Sequence, residues 1–328
     1  MREFRTIAVL GAGAWGVALA NVAARARHDV ALWARDSLQV GDMARTRESR
    51  RLPGVRLEEA VRPEASLARA AEADLVLAVV PAQAMRGLAM ALAPLVRPGV
   101  PVVLCSKGIE QESSRFMSEI VADMLPENPP AVLSGPSFAV DVSRGLPTAV
   151  TLAAGDGALA KSIAAALAGP AFRLYHSTDI RGVEIGGAAK NVLAIACGIA
   201  AGKGLGASAG AALIARGFAE LTRFGRAFGA RSETLMGLSG LGDLVLTCGS
   251  AQSRNFSCGV ALGRGENPAA ASHGKLAEGA HTAPVLVALA RDTGVDMPIC
   301  NAVDAILAGR TDVDRAVETL LARPSKAE

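Results

Sequence analysis

Residues 6–16 read TIAVLGAGAWG. The aliphatic run Ile7–Leu10 predicts a short strand, the glycines at 11, 13 and 16 a tight turn, and the alanine-rich stretch after them a helix from Ala14 to about Arg27. Strand, glycine turn and helix in that order are the context that makes G-x-G-x-x-G informative about a dinucleotide. Gly11 permits the turn, Gly13 lets a pyrophosphate approach the backbone, and Gly16 lets the helix lie close to the strand. The helix start directs unpaired N–H groups and a partial positive charge at the phosphates. On its own the motif names a dinucleotide and nothing about its use.

The 328 residues suffice for two domains, each with its own core. Hydrophobic residues make up 51% against 20% charged, the balance of a folded protein rather than a disordered one. Aromatics are only 3% and the arginines are scattered, so a nucleic-acid partner is not expected. The net charge of +3 selects no partner. No signal peptide is read at the N-terminus, and no uninterrupted apolar run approaches the roughly 18 residues of a membrane span. The alanine-rich residues 188–201 are broken by Lys190, Asn191 and glycines. Cysteines at 105, 197, 248, 258 and 300 are odd in number and lack C-x-x-C spacing. A disulfide framework and a metal site are both disfavoured, and a reducing cytoplasm fits better.

Outward from the glycine motif, a second strand over 30–36 ends in Ala34-Arg35-Asp36. A carboxylate at that strand end binds the ribose hydroxyls of NAD, and an arginine accommodates the 2′-phosphate of NADP. Arg35 tilts the expectation towards NADPH; Asp36 keeps NADH open, and a solvated loop arginine is the plain alternative. Residues 40–72 are polar and arginine-rich, with Leu52-Pro53-Gly54 as a turn signal. Strands over 74–80, 100–104, 131–133, 148–153 and 171–175 alternate with helices over 82–94, 113–124 and 156–168. Such alternation predicts a parallel, doubly wound sheet. Lys107 directly follows a buried strand, at the carboxyl edge where open α/β sheets bind ligands. The Gly-, Pro- and Ser-rich stretch 134–139 follows another strand.

Near Ser177 the pattern turns helical. We expect an N-terminal doubly wound, Rossmann-like dinucleotide-binding domain over 1–178 and an all-helical substrate and catalytic domain over 179–328. In the helix from Asp179, Gly186 and Gly187 stand four and three residues before Lys190, on one face. Each costs about 1 kcal/mol relative to alanine, a cost with a reason if something approaches closely beside the lysine. Lysine serves as acid or base when cations or desolvation lower its pKa, and a snorkelling surface lysine is the alternative. Gly240 and Gly242 flank a stretch that presents Asp243. Ser253, Arg254 and Asn255 offer a hydroxyl, a guanidinium fork and an amide, a set suited to a phosphate. A plainer reading makes Ser253 a helix cap. The aromatic stripe Phe218, Phe224 and Phe228 reads as core.

Together with GAGAWG (11–16), LPGV (52–55), CSKGIE (105–110), SGPSFA (134–139), GLPTAV (145–150), GVEIGGAAKNVLAIACGI (182–199), GLGDLVLTC (240–248), QSRN (252–255) and AEGAHTA (277–283), the chain resembles bacterial NAD(P)-dependent glycerol-3-phosphate dehydrogenases over nearly its whole length. The resemblance implies reversible reduction of dihydroxyacetone phosphate to sn-glycerol 3-phosphate with NADPH or NADH, feeding phospholipid synthesis, and it suggests a homodimer. By position, Lys190 matches the proton-handling lysine. Lys107, Gly135, Ser137, Asp243, Ser253, Arg254 and Asn255 match substrate-binding positions. Ala14, Trp15, Arg35, Lys107, Ala139, Arg254, Leu276 and Glu278 match nucleotide-binding positions. Ala14 stands where the family commonly has Ser or Thr, so pyrophosphate binding would rest on backbone donors. Residues 80–85, VPAQAM, depart from the family's Val-Pro-Ser pattern and receive no role.

The expected division of labour has Lys190 donating a proton to the developing alkoxide, Asp243 orienting the lysine or the substrate hydroxyl, Ser253 to Asn255 holding the phosphate, and cationic neighbours lowering the lysine's pKa. Two rivals are a 3-hydroxyacid or 6-phosphogluconate-type dehydrogenase and a non-catalytic NAD(P)H-sensing protein. GLGDLVLTC followed by SRN argues against the first, and Lys190, Asp243 and Arg254 against the second.

Overall fold

The computed structural model describes residues 3–271 and 277–324, and by its internal contacts the chain divides into two units. The first runs to Lys107 and resumes over Arg115–Glu184; the second comprises Gly108–Ser114 and the chain from Ile185 onward.

The first unit contains ten strands: β1 (Thr6–Leu10), β2 (Asp29–Trp33), β3 (Glu48–Ser49), β4 (Leu52–Arg56), β5 (Val61–Glu64), β6 (Leu75–Ala78), β7 (Val102–Leu104), β8 (Pro130–Ser134), β9 (Thr148–Ala154) and β10 (Phe172–Ser177). Eight form one sheet in the order β10-β9-β8-β7-β6-β1-β2-β5, and β3 pairs with β4 in a separate hairpin. In β1, Ile7 and Val9 join the core beneath the helix Ala14–Arg25, while Ala8 and Leu10 join the core beneath the helices Met85–Leu92 and Met117–Met124. Successive side chains point to opposite faces, and both faces are covered, which is why the strand reads as an unbroken apolar run.

Three features depart from the sequence pattern. The sheet is not parallel throughout: β8 and β9 pair antiparallel, Ser134 opposite Thr151, while β9 and β10 are parallel to each other. The link between β8 and β9 carries only the short helix Ala139–Ser143, and an antiparallel pair does not need the long crossover that a parallel one does. The polar stretch 40–72 hides a strand, since β5 reads VRPE. It pairs only with β2, at the sheet edge where charge and proline are tolerated. Leu52-Pro53-Gly54 lies inside β4, and the turn falls at Arg50–Arg51 instead.

Element ends follow local chemistry. The second strand stops at Trp33, short of the expected 36, because Asp36 caps the helix Ser37–Thr46 by accepting from the Leu38 N–H at 2.9 Å. Buried Asn21 in the first helix donates to the Arg56 carbonyl at 2.8 Å and accepts from the Glu58 N–H at 3.0 Å, fastening the β4–β5 connection.

The described residues of the second unit contain helices and no strand. Its central helix, Ile180–Gly202, crosses the unit boundary and is long and apolar enough to span a membrane by composition, yet 89% of its apolar window is buried in the protein. It is a core helix. The helix Gly206–Ala227 buries Leu221 and Phe224, with Phe224 and Phe228 ring centroids 4.7 Å apart; of the aromatic stripe, Phe224 is core and Phe218 and Phe228 are half-buried. Glu220 from the same helix accepts from the Ile299 N–H at 2.7 Å and the Cys300 N–H at 3.2 Å, capping the helix Pro298–Leu307 from outside.

Candidate active site

In the first unit the glycine turn is built as its spacing predicts. Gly11 has φ +123°, and a Cβ there would lie 2.4 Å from the Val79 carbonyl oxygen. A Cβ on Gly16 would lie 1.8 Å from the Gly11 carbonyl oxygen, so only glycine lets the helix approach the turn. Gly13 differs: it is exposed, and a Cβ would meet nothing within 4 Å. The space beside Gly13 is therefore open, as a cradle for a pyrophosphate must be. Gly13 is the N-cap of the helix Ala14–Arg25, and no side chain caps its first turn, where partly buried Ala14 and Trp15 stand. Beyond β2, Arg35 is exposed, whereas Asp36 is engaged as a helix cap.

At the carboxyl ends of β7 and β8, Lys107 Nζ donates to the Gly135 carbonyl at 3.1 Å and Ser137 Oγ donates to the same oxygen at 3.0 Å. Gly135 has φ +147°, and a Cβ there would sit 2.8 Å from the Val150 Cα. The sharp turn at Gly135 brings Lys107 and Ser137 onto one carbonyl. Partly buried Ala139 opens the short helix that follows.

In the second unit Lys190 and Asp243, far apart in sequence, form a buried ion pair with Nζ to Oδ1 at 2.6 Å. Lys190 is 6% exposed and Asp243 1%. Removing two charges from water is costly, so the pair persists only through close geometry and further hydrogen bonds. Thr247 supplies them: its hydroxyl accepts from Lys190 Nζ at 2.8 Å and donates to Asp243 Oδ1 at 3.2 Å. The immediate neighbour of the ammonium is thus a carboxylate, not the cations expected from sequence.

What approaches Gly186, four residues before Lys190, is the protein's own backbone. A Cβ on Gly186 would sit 2.4 Å from the Ser239 carbonyl oxygen and 3.0 Å from the Gly240 Cα. Ser239 and Gly240 belong to a π-helical turn, Leu238–Gly242, that leads directly into the helix Asp243–Cys248. Such turns concentrate at functional sites because they re-aim the residues that follow. Here the close approach is what delivers Asp243 to the lysine.

A second glycine contact orients the Ser253–Asn255 segment. A Cβ on Gly198 would lie 2.1 Å from the Phe256 carbonyl oxygen, and one on Gly259 would lie 2.1 Å from the Ile195 carbonyl oxygen. The helices Ile180–Gly202 and Arg254–Gly263 therefore meet backbone to backbone. Ser253 caps the second of them by accepting from the Phe256 N–H at 3.2 Å, and exposed Arg254 is its first residue. A helix start that carries an arginine is an anion site in waiting. Asn255 faces inward: its Nδ2 donates to Asn191 Oδ1 at 2.9 Å, and its Oδ1 accepts from the Gly279 N–H at 2.9 Å. Its side chain links the lysine's helix to the helix Glu278–Asp292, which Glu278 opens. Leu276 lies outside the described residues. All five cysteines are free and buried, with Cys197 and Cys248 sharing a hydrogen bond.

Thr247 and Asn191 were not singled out from the sequence. Thr247 stands four residues after Asp243, on the same helix face, and that spacing was a usable signal. Asn191 adjoins Lys190 but carries no local mark of its inward contact.

The model for the NAD-dependent glycerol-3-phosphate dehydrogenase N-terminus matches residues 6–160, and the model for the C-terminus of the same family matches residues 179–318. The chain belongs to the NAD-dependent glycerol-3-phosphate dehydrogenase family. Similar relatives include glycerol-3-phosphate dehydrogenases, NAD(P)+, of Bradyrhizobium sp. strain BTAi1, 64% identical over 328 residues and 100% of both chains, and of Azorhizobium caulinodans, 63% identical over 330 residues and 100% of both. Among solved structures, the glycerol-3-phosphate dehydrogenase of Coxiella burnetii is 40% identical, with a TM-score of 0.93, covering 97% of this chain and 99% of that one.

Proposed function

We propose that this member of the family catalyses the reversible reduction of dihydroxyacetone phosphate to sn-glycerol 3-phosphate, with residues 1–178 binding the coenzyme and residues 179–328 binding and protonating the substrate. The observation that carries the reading is the buried Lys190–Asp243 pair, with Thr247 bonded to both groups. A buried lysine held in one geometry is suited to deliver a proton to a developing alkoxide.

Gly11, Gly13, Ala14, Trp15 and Gly16 would hold the pyrophosphate through backbone donors, since Ala14 has no hydroxyl and Gly13 leaves the space open. When bound, the nicotinamide supplies the reducing equivalent for the carbonyl carbon. Arg35, Lys107, Ala139, Arg254, Leu276 and Glu278 complete the coenzyme contacts in this assignment. Lys190 donates the proton and Asp243 holds the ammonium in place. Ser253, Arg254 and Asn255 form the phosphate end, with the helix N–H groups as donors and the Arg254 guanidinium as counter-charge. The side chain of Asn255 acts here mainly by fixing that segment. Lys107, Gly135 and Ser137 contribute substrate contacts.

NADPH is the favoured coenzyme, because Arg35 and Asp36 are both exposed but Asp36 already spends one carboxylate oxygen as a helix cap. Five unpaired cysteines suit a reducing cytoplasm. A homodimer is the assembly we favour. Initial-rate kinetics with dihydroxyacetone phosphate, run with NADPH and NADH in parallel, test substrate and coenzyme together. Turnover with a lower KM for NADPH is expected; failure to oxidise either coenzyme would overturn the reading.

A further inference from the structure

The glycine turn is held from outside by a side chain that no motif marks. Gln39, the third residue of the helix Ser37–Thr46, donates from Nε2 to the Ala12 carbonyl at 2.7 Å. Ala12 lies between the first two glycines of the turn and is 5% exposed. Its carbonyl belongs to the same peptide unit as the Gly13 N–H. That unit is planar and trans, so its C=O and N–H point in opposite directions. Pinning the Ala12 oxygen to Gln39 therefore turns the Gly13 N–H away from Gln39.

The restraint matters because glycine at position 13 adds no side chain to hold the unit in place. Gly13 lacks a Cβ, has nothing within 4 Å of where one would stand, and is exposed. A reversed unit would present a carbonyl oxygen where an N–H stands now. For a pyrophosphate that replaces a hydrogen-bond donor by a like-signed partial charge. The support under Gln39 is rigid: Val40 and Met43 of its helix are buried in the core that includes the Ala14–Arg25 helix, and Asp36 caps the helix start. The turn has a second tether, from the Gly11 N–H to the Trp33 carbonyl at 3.0 Å. Both tethers anchor it to the segment that carries Arg35.

We propose that Gln39 is a positioning residue for coenzyme binding, holding the Ala12–Gly13 peptide so that the Gly13 N–H serves the pyrophosphate. This rests on the reading of Gly11–Gly16 as the dinucleotide turn. The pyrophosphate is common to NADPH and NADH, so Gln39 acts on both coenzymes equally, unlike Arg35.

The test is a fluorescence titration of the full chain with NADPH and with NADH, for the wild type, Gln39→Met and Gln39→Glu. Gln39→Met keeps the length and loses the donor. It is expected to raise both dissociation constants about 5–10-fold with the NADPH-to-NADH ratio unchanged, while kcat at saturating coenzyme and KM for dihydroxyacetone phosphate stay within about twofold, on the scale of one lost hydrogen bond. Gln39→Glu at pH 8 places a carboxylate against the Ala12 oxygen and should bind more weakly still. Its affinity should recover towards pH 5, where a protonated carboxyl can donate as the amide does. Thermal melting of each variant verifies the fold. Wild-type affinity in Gln39→Met, a loss confined to NADPH, or a Gln39→Glu affinity that does not change with pH relative to wild type would each overturn the proposal. A wild type that binds neither coenzyme would instead remove the dinucleotide reading, and the proposal with it.

Discussion

Both units carry glycine beside the residues proposed to function; Gly11, Gly16 and Gly135 of the first unit meet protein atoms as the glycines of the second do, and Gly13 stands apart from them. At Gly13 the missing Cβ leaves open space, as a ligand requires. At Gly186, Gly198 and Gly259 the missing Cβ is replaced at once by another segment's backbone, with carbonyl oxygens 2.1–2.4 Å from where the Cβ would be. The first kind of glycine makes room for a molecule; the second lets two pieces of protein meet, so that side chains distant in sequence share one place. A glycine beside a buried lysine is therefore not by itself a sign of substrate approach.

The largest effect separates chemistry from coenzyme binding. Lys190→Met should lower turnover by about 10²–10⁴-fold, the usual contribution of a positioned acid, while NADPH affinity measured by fluorescence stays near wild type. Because that change leaves Asp243 buried without its counter-charge, Lys190→Met with Asp243→Asn should melt higher than Lys190→Met alone yet remain inactive. Near-normal turnover in either variant would remove Lys190 from the mechanism.

Next is the contrast between glycines. Gly259→Ala should destabilise by about 1–3 kcal/mol, since neither backbone can yield without moving a helix. Gly13→Ala should leave the unfolding free energy from a urea melt within about 0.5 kcal/mol of wild type and weaken coenzyme binding instead. Equal destabilisation by the two would erase the distinction.

The pH dependence of stability probes two carboxyls outside the proposed chemistry. Burial pushes Glu184 up to about 7, although the Ser118 N–H and hydroxyl both donate to it. Burial likewise pushes Glu220 up to about 7, against the pull of the Ile299 and Cys300 N–H groups. A folded value above the ordinary 4.5 means that the folded state holds the proton more tightly. The stability each group contributes is then full below about 4.5 and is lost as pH rises towards 7. The slope is at most about 1.4 kcal/mol per pH unit for each group. Urea midpoints at several pH values should flatten across this window in Glu184→Gln and in Glu220→Gln; an undiminished wild-type slope in both would refute the assignment.

The smallest effect is at Ser253. Ser253→Ala removes the cap on the Arg254–Gly263 helix and should cost about 1 kcal/mol in a urea melt, with a rise in KM for dihydroxyacetone phosphate rather than a fall in kcat.

How much of this was legible depended on distance along the chain. The glycine turn could be read because strand, turn and helix are consecutive and each glycine's reason lies within a few residues. The strand β5 could not, because an edge strand buries little and VRPE carries no apolar pattern. The reversal at β9 lay in a connector whose length is compatible with more than one route. Lys190 and Asp243 could be named one by one, but the contact between them spans 53 residues and depends on Gly186 meeting Ser239. The side chain of Asn255, a residue expected at the phosphate end, bonds Asn191 and Gly279, contacts that no spacing rule connects to it.

The sequence by itself determined the types of the buried elements, the covered sheet of the first unit, the helical character of the second, and the residue types of the chemistry. Those follow from local periodicity, from turn chemistry and from whether each residue type can be buried. Tertiary structure alone decided which glycine borders open space and which meets another backbone, which carboxylate partners the lysine, and which side chain bonds the Ala12 carbonyl. Each of these depends on a close approach between segments far apart in the chain, and a close approach leaves no mark in the sequence beyond a residue small enough to allow it.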